Sequence, residues 1–153
     1  MEGRHEAYIA MVLCLLTVAS AAWAQLPVGT WIKRPSATPP MMMIIEPAGP
    51  GIKITYRMLG PDGKAMNQAV VTVVTALDGK EAPMMIDGKD SGQTMATLRT
   101  DANHATTIIK MQGKDFGKST TELSADGKTM KVENDFSVAN PSVGKQIEYW
   151  DKK

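Results

Sequence analysis

The sequence has little cysteine, few aromatic residues and almost no excess of charge. Its single cysteine, Cys14, is too few for a disulfide framework or a cysteine zinc site. With 17 basic and 16 acidic side chains the net charge is +1, which gives no electrostatic footprint for nucleic acid. At 43% apolar and 22% charged residues, the composition excludes a disordered chain and a polytopic membrane protein. A small globular domain remains.

An apolar run near the start of the chain indicates a targeting segment. The run covers residues 10–22. It is too short to span a membrane, which takes about 20 residues, but its length suits the core of a signal peptide. Ala22-Trp23-Ala24 follows as a small-x-small cleavage site. We therefore predict a signal peptide over residues 1–24.

Cleavage at this site would leave residues 25–153 as a single domain and would remove Cys14 with the signal. We expect the protein to be exported, either to the periplasm or to the extracellular space. After cleavage we expect no stable membrane insertion, and the composition also argues against a nucleic-acid partner. The oligomeric state is left open.

Alternating side chains beyond residue 25 predict β-strands. Apolar residues alternate with polar ones over residues 52–58 and again over residues 130–138, a period of two that is typical of strands with one buried face. The tripeptide Asp-Gly-Lys favours tight turns and occurs four times, at residues 62–64, 78–80, 87–89 and 126–128. The pattern predicts ten strands, near residues 29–33, 41–47, 51–59, 65–77, 82–86, 94–100, 105–112, 116–124, 129–138 and 145–151.

The connections between these predicted strands are short, which favours an antiparallel meander over parallel strands with crossover helices. A meander of about ten strands usually closes into a barrel or folds over as a clam, and either arrangement removes its edges. The proline-rich stretch at residues 35–40 cannot pair as a central strand, so we expect a lid or a crossing after the first strand. The predicted fold is all-β, an up-and-down meander closed into a barrel.

Several short motifs resemble one group of barrel proteins. Gly29-Thr30-Trp31 on the first strand, followed by a β meander, resembles the lipocalin and fatty-acid-binding superfamily. Three further motifs are similar to those of uncharacterised bacterial exported lipocalin-like (calycin-type) proteins. These are Glu-Pro-Ala-Gly-Pro-Gly-Ile-Lys at residues 46–53, Ser-Ala-Asp-Gly-Lys-Thr-Met at residues 124–130, and the aromatic-Asp ending at residues 149–151.

The resemblance implies a lipocalin-like barrel in which Trp31 plugs a closed end, but it implies no established activity. Two departures limit what is carried over. Lipocalins commonly place an arginine on the last strand over the tryptophan, whereas residues 145–153 hold only lysines. Fatty-acid binders often place an arginine two residues before a late tyrosine, whereas Ile147 precedes Tyr149 here. A carboxylate-binding role is therefore not carried over.

No catalytic constellation stands out. The only histidine beyond residue 25 is His104, which follows Asn103 in a predicted turn and lacks a recognisable nucleophile such as that of a Gly-x-Ser-x-Gly elbow. The aspartates of the Asp-Gly-Lys turns serve backbone geometry. We therefore predict no enzyme activity, no catalytic residues and no cofactor, and one histidine without cysteine predicts no metal site of nitrogen or thiolate ligands.

Methionine is in excess, with ten of the 12 methionines beyond residue 25. Thioether sulfur can hold Cu(I), and on a strand Met41 and Met43 would share one face while Met42 points away. The simpler interpretation is that flexible methionine fills a core that is short of aromatic rings.

The remaining candidate site is the interior of the barrel. If Val132 and Phe136 face inward, Asn134 does too, and Tyr56 and Tyr149 lie in the apolar rows of their own strands. An apolar pocket with a few polar groups is typical of small-molecule sites. We therefore predict that Tyr56, Asn134 and Tyr149 help to bind a small apolar or amphipathic ligand. The alternative is a non-catalytic cell-envelope interaction module with a filled core.

Overall fold

The computed structural model describes residues 26–153, so the predicted signal peptide at residues 1–24 lies outside the described residues. Ten strands make up the domain. They are β1 (Gly29–Lys33), β2 (Met41–Ala48), β3 (Gly51–Met58), β4 (Val71–Thr75), β5 (Asp78–Ile86), β6 (Lys89–Arg99), β7 (His104–Met111), β8 (Lys114–Leu123), β9 (Thr129–Asp135) and β10 (Lys145–Lys152).

The ten strands form one closed barrel. Each strand pairs antiparallel with the next along the chain, and β10 returns to pair with β1, where Ile32 lies opposite Asp151. Residues 26–153 contain no α-helix, and hence none that could cross a membrane. The predicted all-β, up-and-down meander of ten strands closed into a barrel is confirmed, and its architecture is that of a lipocalin-like barrel.

The fourth predicted strand is too long. Instead of residues 65–77, β4 covers only Val71–Thr75, and the chain before it forms a loop with one isolated bridge between Leu59 and Ala65. The Asp87 carboxylate accepts hydrogen bonds from the amides of Ala69 and Val70 at 3.0 and 2.9 Å. Because these amides are satisfied by a side chain, they need no strand partner.

The fifth predicted strand is too short. The turn predicted at residues 78–80 lies inside β5, which begins at Asp78 opposite Leu98. The register shifts between Asp78 and Glu81, and the Asp78 carboxylate accepts a hydrogen bond from the Lys80 amide at 3.1 Å. The tripeptide therefore forms a bulge within the strand rather than the connection between two strands.

The ninth strand ends at Asp135, three residues before its predicted end at residue 138. The Asp135 carboxylate accepts a hydrogen bond from the Ser137 amide at 3.0 Å, and the amides of Ala139 and Asn140 donate to the carbonyl of Phe136. These local bonds turn the chain away from the sheet. Val138 is 70% exposed as a result, although its position in the alternating pattern predicted a strand.

Trp31 anchors the interior of the barrel. Its side chain is fully buried, and its indole Nε1 donates a hydrogen bond to the carbonyl of Pro27 at 2.8 Å. Lys152 of β10 places its ammonium 5.7 Å from the centre of the Trp31 ring. A lysine thus makes the cation–π contact over this tryptophan in a chain that has no arginine at residues 145–153.

The β2–β3 hairpin packs closely against the end of β4. A Cβ atom at Gly51 would lie 1.9 Å from the carbonyl oxygen of Thr75 and 2.6 Å from the Cα of Ala76. Both are backbone atoms, so only glycine fits at this point.

Residues 34–40 connect β1 to β2 without forming a strand, as the prolines predict.

Candidate functional site

A cavity of about 400 Å³ lies inside the barrel. Every strand except β1 contributes to its wall, and most of the lining side chains are apolar. The strand alternation explains this lining, since Ile52, Ile54 and Tyr56 of β3 face the cavity while the intervening Lys53 is exposed and does not line it. The lumen is therefore lined by side chains but not filled by them.

Four polar side chains form a row across adjacent strands of the lumen wall. Thr97 pairs with Thr107, which pairs with Ser119, which pairs with Asn134, and all four line the cavity. The hydroxyls of Thr97 and Thr107 are 3.0 Å apart, and the Ser119 hydroxyl donates to Asn134 Oδ1 at 2.5 Å. We call these four residues the hydroxyl belt. Their hydrogen bonds stabilise polar groups within a mainly apolar wall.

Glu148 brings a carboxylate to the cavity wall. Its Oε1 lies 3.8 Å from the ammonium of Lys33, and Lys33 in turn donates a hydrogen bond to the hydroxyl of Thr38 in the proline-rich connection. The rings of Tyr56 and Trp150 meet edge to face nearby, with their centres 6.3 Å apart. Burial, and secondarily the charge of Glu148, raises the pKa of Tyr56 to about 12. The phenol is therefore neutral at physiological pH.

The structure brings two of the three predicted ligand-binding residues to the cavity. Tyr56 and Asn134 both line it, and Asn134 faces inward together with Val132 and Phe136, as predicted. Whether these residues bind a ligand stays a prediction.

The third residue, Tyr149, does not line the cavity, so its predicted position inside the barrel is wrong. It is 40% exposed on the outside of the barrel, where its ring lies 5.3 Å from the Arg34 guanidinium. The pairing of β10 with β9 sets Glu148 opposite the inward-facing Val132, so the apolar-looking row of Ile147 and Tyr149 faces solvent.

Sequence reasoning missed Glu148 and Lys33. Glu148 occupies an inward position of β10 because it shares a face with Trp150, which is 3% exposed. The only signal in the sequence was that spacing of two between a glutamate and a tryptophan. Lys33 shares the inward face of β1 with Trp31 in the same way, and only 4% of the residue is exposed.

Five methionines face the lumen, namely Met41, Met43, Met84, Met95 and Met130. Met41 and Met43 share the inward face of β2, as predicted, whereas Met42 does not line the cavity. Residues 26–153 contain no group of three or more His, Cys, Asp or Glu side chains that could hold a metal ion. Cu(I) binding by Met41 and Met43 stays a prediction.

His104 begins β7 at the end of the barrel and borders the cavity. The side chain is half exposed, with Nδ1 2.9 Å from the Asp101 carboxylate and Nε2 4.0 Å from that of Glu122. Hydrogen bonds from the Asn103 amide and then from His104 lower the pKa of Asp101. This contact holds the β6–β7 connection in place.

No protein-family model, no curated protein and no solved structure matches this chain. The likeness to exported lipocalin-like proteins therefore stays a prediction from the sequence motifs.

Proposed function

We propose that the protein binds a small apolar or amphipathic molecule inside the barrel. The observation that carries this proposal is the cavity of about 400 Å³ with its mainly apolar lining. Small-molecule pockets measure about 300–1,000 Å³ and combine apolar walls with a few polar groups. Here the hydroxyl belt and Glu148 are among the polar groups. The signal peptide predicted over residues 1–24 would deliver this activity to the periplasm or the extracellular space.

The competing proposal is a non-catalytic interaction module of the cell envelope with a filled core. The volume of the lumen weighs against it, because a core packed with methionine and leucine would leave voids little larger than a water molecule. The two proposals differ in one measurable property, the ability to take up an apolar molecule.

We expect the purified protein to enhance the fluorescence of an apolar dye and to lose this signal when the lumen is filled. Ala105 lines the cavity, so Ala105→Phe should weaken dye binding about tenfold or more by occupying the space. Ala96 lies on β6 between the inward-facing Met95 and Thr97 and does not line the cavity, so Ala96→Phe is the matched control.

Tyr149→Ala is a second control, because the Tyr149 ring is outside the barrel. Titrations of the dye against the four proteins, with circular dichroism to confirm the fold, test the proposal. Absence of any dye binding by the unmodified protein would favour the filled interaction module. Equal loss in Ala105→Phe and Ala96→Phe would place the dye on the surface instead.

A further inference from the structure

Among residues 26–153, Glu148 is the one acidic side chain that lines the cavity. Its side chain is 19% exposed and lines the cavity, whereas the Lys33 side chain is only 1% exposed and is absent from the cavity wall. Within residues 26–153 the Glu148 carboxylate accepts no hydrogen bond, since the Lys33 ammonium stays 3.8 Å away. A carboxylate with free acceptor capacity therefore faces an apolar space.

Lys33 occupies an inward position of β1 but does not line the cavity. Its ammonium donates to the Thr38 hydroxyl, which belongs to the proline-rich connection between β1 and β2. The Thr38 hydroxyl also lies 2.9 Å from the Ser36 hydroxyl of the same connection, and the Lys33 side chain is only 1% exposed. Lys33 offsets part of the cost of burying Glu148, but a molecule in the cavity would meet the carboxylate first.

Uncharged side chains of β3, β9 and β10 line the cavity together with Glu148. Tyr56 and Trp150 contribute aromatic rings, and Val132 lies directly opposite Glu148 on the neighbouring strand. The cationic side chain of Arg99 also lines the cavity, but it lies on β6, four strands away from β10, and donates to the carbonyls of Asp101 and Ala102. Among residues 26–153, neither β10 nor the two strands that pair with it, β9 and β1, place a cationic side chain in the cavity wall.

We propose that the cavity selects apolar molecules with a hydrogen-bond-donating head group, an amine or an alcohol, and discriminates against carboxylates, with Glu148 as the acceptor. This inference depends on the proposed function. An amine or hydroxyl head would fill the free acceptor positions of Glu148. A carboxylate head would instead place two like charges together in a medium of low dielectric constant.

Three competitors with the same alkyl chain test the selectivity, namely decylamine, decanol and decanoate. Each is titrated at neutral pH against the protein loaded with the apolar dye, with decylamine and decanoate kept below their micelle-forming concentrations and decanol below its solubility limit. We expect decylamine and decanol to displace the dye at concentrations about tenfold or more below that of decanoate, the factor that one hydrogen bond to a charged group supplies. Either order of amine and alcohol supports the proposal, and the order shows whether charge adds to the hydrogen bond.

Glu148→Gln removes the charge and keeps the shape of the side chain. We expect it to reduce the preference for decylamine over decanoate about tenfold or more. Glu133→Gln is the matched control, because Glu133 lies on the adjacent β9, outside the cavity wall, with its carboxylate 3.3 Å from the ammonium of Lys145. Since Glu148→Gln leaves Lys33 buried without its partner, the double variant K33M/E148Q is measured as well and should lose the same preference.

The outcomes separate this inference from the proposal that it depends on. If the dye binds and decanoate displaces it as well as decylamine does, the selectivity is overturned while ligand binding stands. An unchanged preference in both Glu148→Gln and K33M/E148Q also overturns it. If the protein takes up neither the dye nor any of the three competitors, the proposed function fails and the selectivity fails with it.

Discussion

Trp31 shows how one side chain can hold the wall of a barrel in place. It is the largest fully buried side chain among residues 26–153. Its indole donates a hydrogen bond to the Pro27 carbonyl, and its ring makes a cation–π contact with Lys152. Pro27 precedes β1 and Lys152 ends β10, so the indole contacts both ends of the described chain. Its loss would remove buried area and leave a cavity next to the strand pair that closes the barrel.

We expect Trp31→Ala to lower the free energy of unfolding by about 3–5 kcal/mol, the usual cost of truncating a large aromatic side chain in a core. Trp31→Phe retains much of the packing and loses the indole hydrogen bond, so its loss should be smaller. Urea denaturation followed by circular dichroism measures both. A loss below about 1 kcal/mol for Trp31→Ala would show that the indole is not a core residue.

At the scale of the elements, one tripeptide serves several structural purposes. Asp-Gly-Lys forms an ordinary turn at residues 62–64 and at 126–128, where the aspartate accepts a hydrogen bond from the lysine amide. At residues 78–80 it forms a bulge at the start of β5. At residues 87–89, Asp87 and Gly88 both have positive φ, 49° and 78°, as a tight hairpin requires. The Asp87 carboxylate accepts its hydrogen bond from the Ala69 amide in the β3–β4 loop instead of from its own turn.

We expect the Asp87 carboxylate to protect two backbone amides at the end of the β3–β4 loop from hydrogen exchange. In Asp87→Gly the positive φ is retained without strain, but the acceptor of the Ala69 and Val70 amides is lost. We expect hydrogen exchange at these two amides to become about tenfold faster, because one hydrogen bond contributes about 1 kcal/mol or more.

Asp62→Gly is the matched control, since Asp62 accepts its backbone hydrogen bond from Lys64 within its own turn. Exchange at Ala69 and Val70 should stay unchanged in this variant. Equal exchange rates in Asp87→Gly and the unmodified protein would show that the loop is held by other contacts.

For the whole molecule, the titratable groups with shifted pKa values predict how stability depends on pH. Six carboxyl groups of residues 26–153 have a lowered pKa because they accept hydrogen bonds. The largest cause is the hydrogen bond from the Arg34 guanidinium for Asp151 and the hydrogen bond from the Lys110 ammonium for Glu81. The six are Asp78, Glu81, Asp101, Asp126, Asp135 and Asp151. Tyr56 has a raised pKa of about 12 because it is buried.

These shifts predict a stability plateau with two falling limbs. Since the six carboxyl pKa values are lower in the folded state, their stabilisation is present above the ordinary carboxyl pKa of about 4 and is lost as the pH falls through the lowered values. The folded pKa of Tyr56 is raised, so its stabilisation is present below pH 10.0 and is lost as the pH rises to about 12. Urea denaturation across this pH range measures both limbs.

Tyr56→Phe separates the two limbs. It removes the phenol that must ionise on unfolding, so the alkaline limb should become shallower while the acid limb keeps its slope. An alkaline limb that is identical in Tyr56→Phe and in the unmodified protein would show that Tyr56 ionises equally in the folded and unfolded states.

The sequence predicted the fold better than the site. On β3 and β9 the apolar row is the inner row, so Tyr56 and Asn134 were assigned correctly to the lumen. On β10 the outer row contains Ile147 and Tyr149 while the inner row contains Glu148, so the same reasoning selected the wrong face. A period of two separates the faces of a strand but does not say which face is inside when both carry apolar residues.

The sequence by itself determined the number and order of the strands, because alternation and turn residues are local properties of the chain. Only the tertiary structure decided which faces point inward and how much space they leave. Those features depend on the register between β10 and its neighbours and on the summed volumes of side chains from nine strands. The result is a cavity of about 400 Å³ with a glutamate in its wall, which no local pattern could have specified.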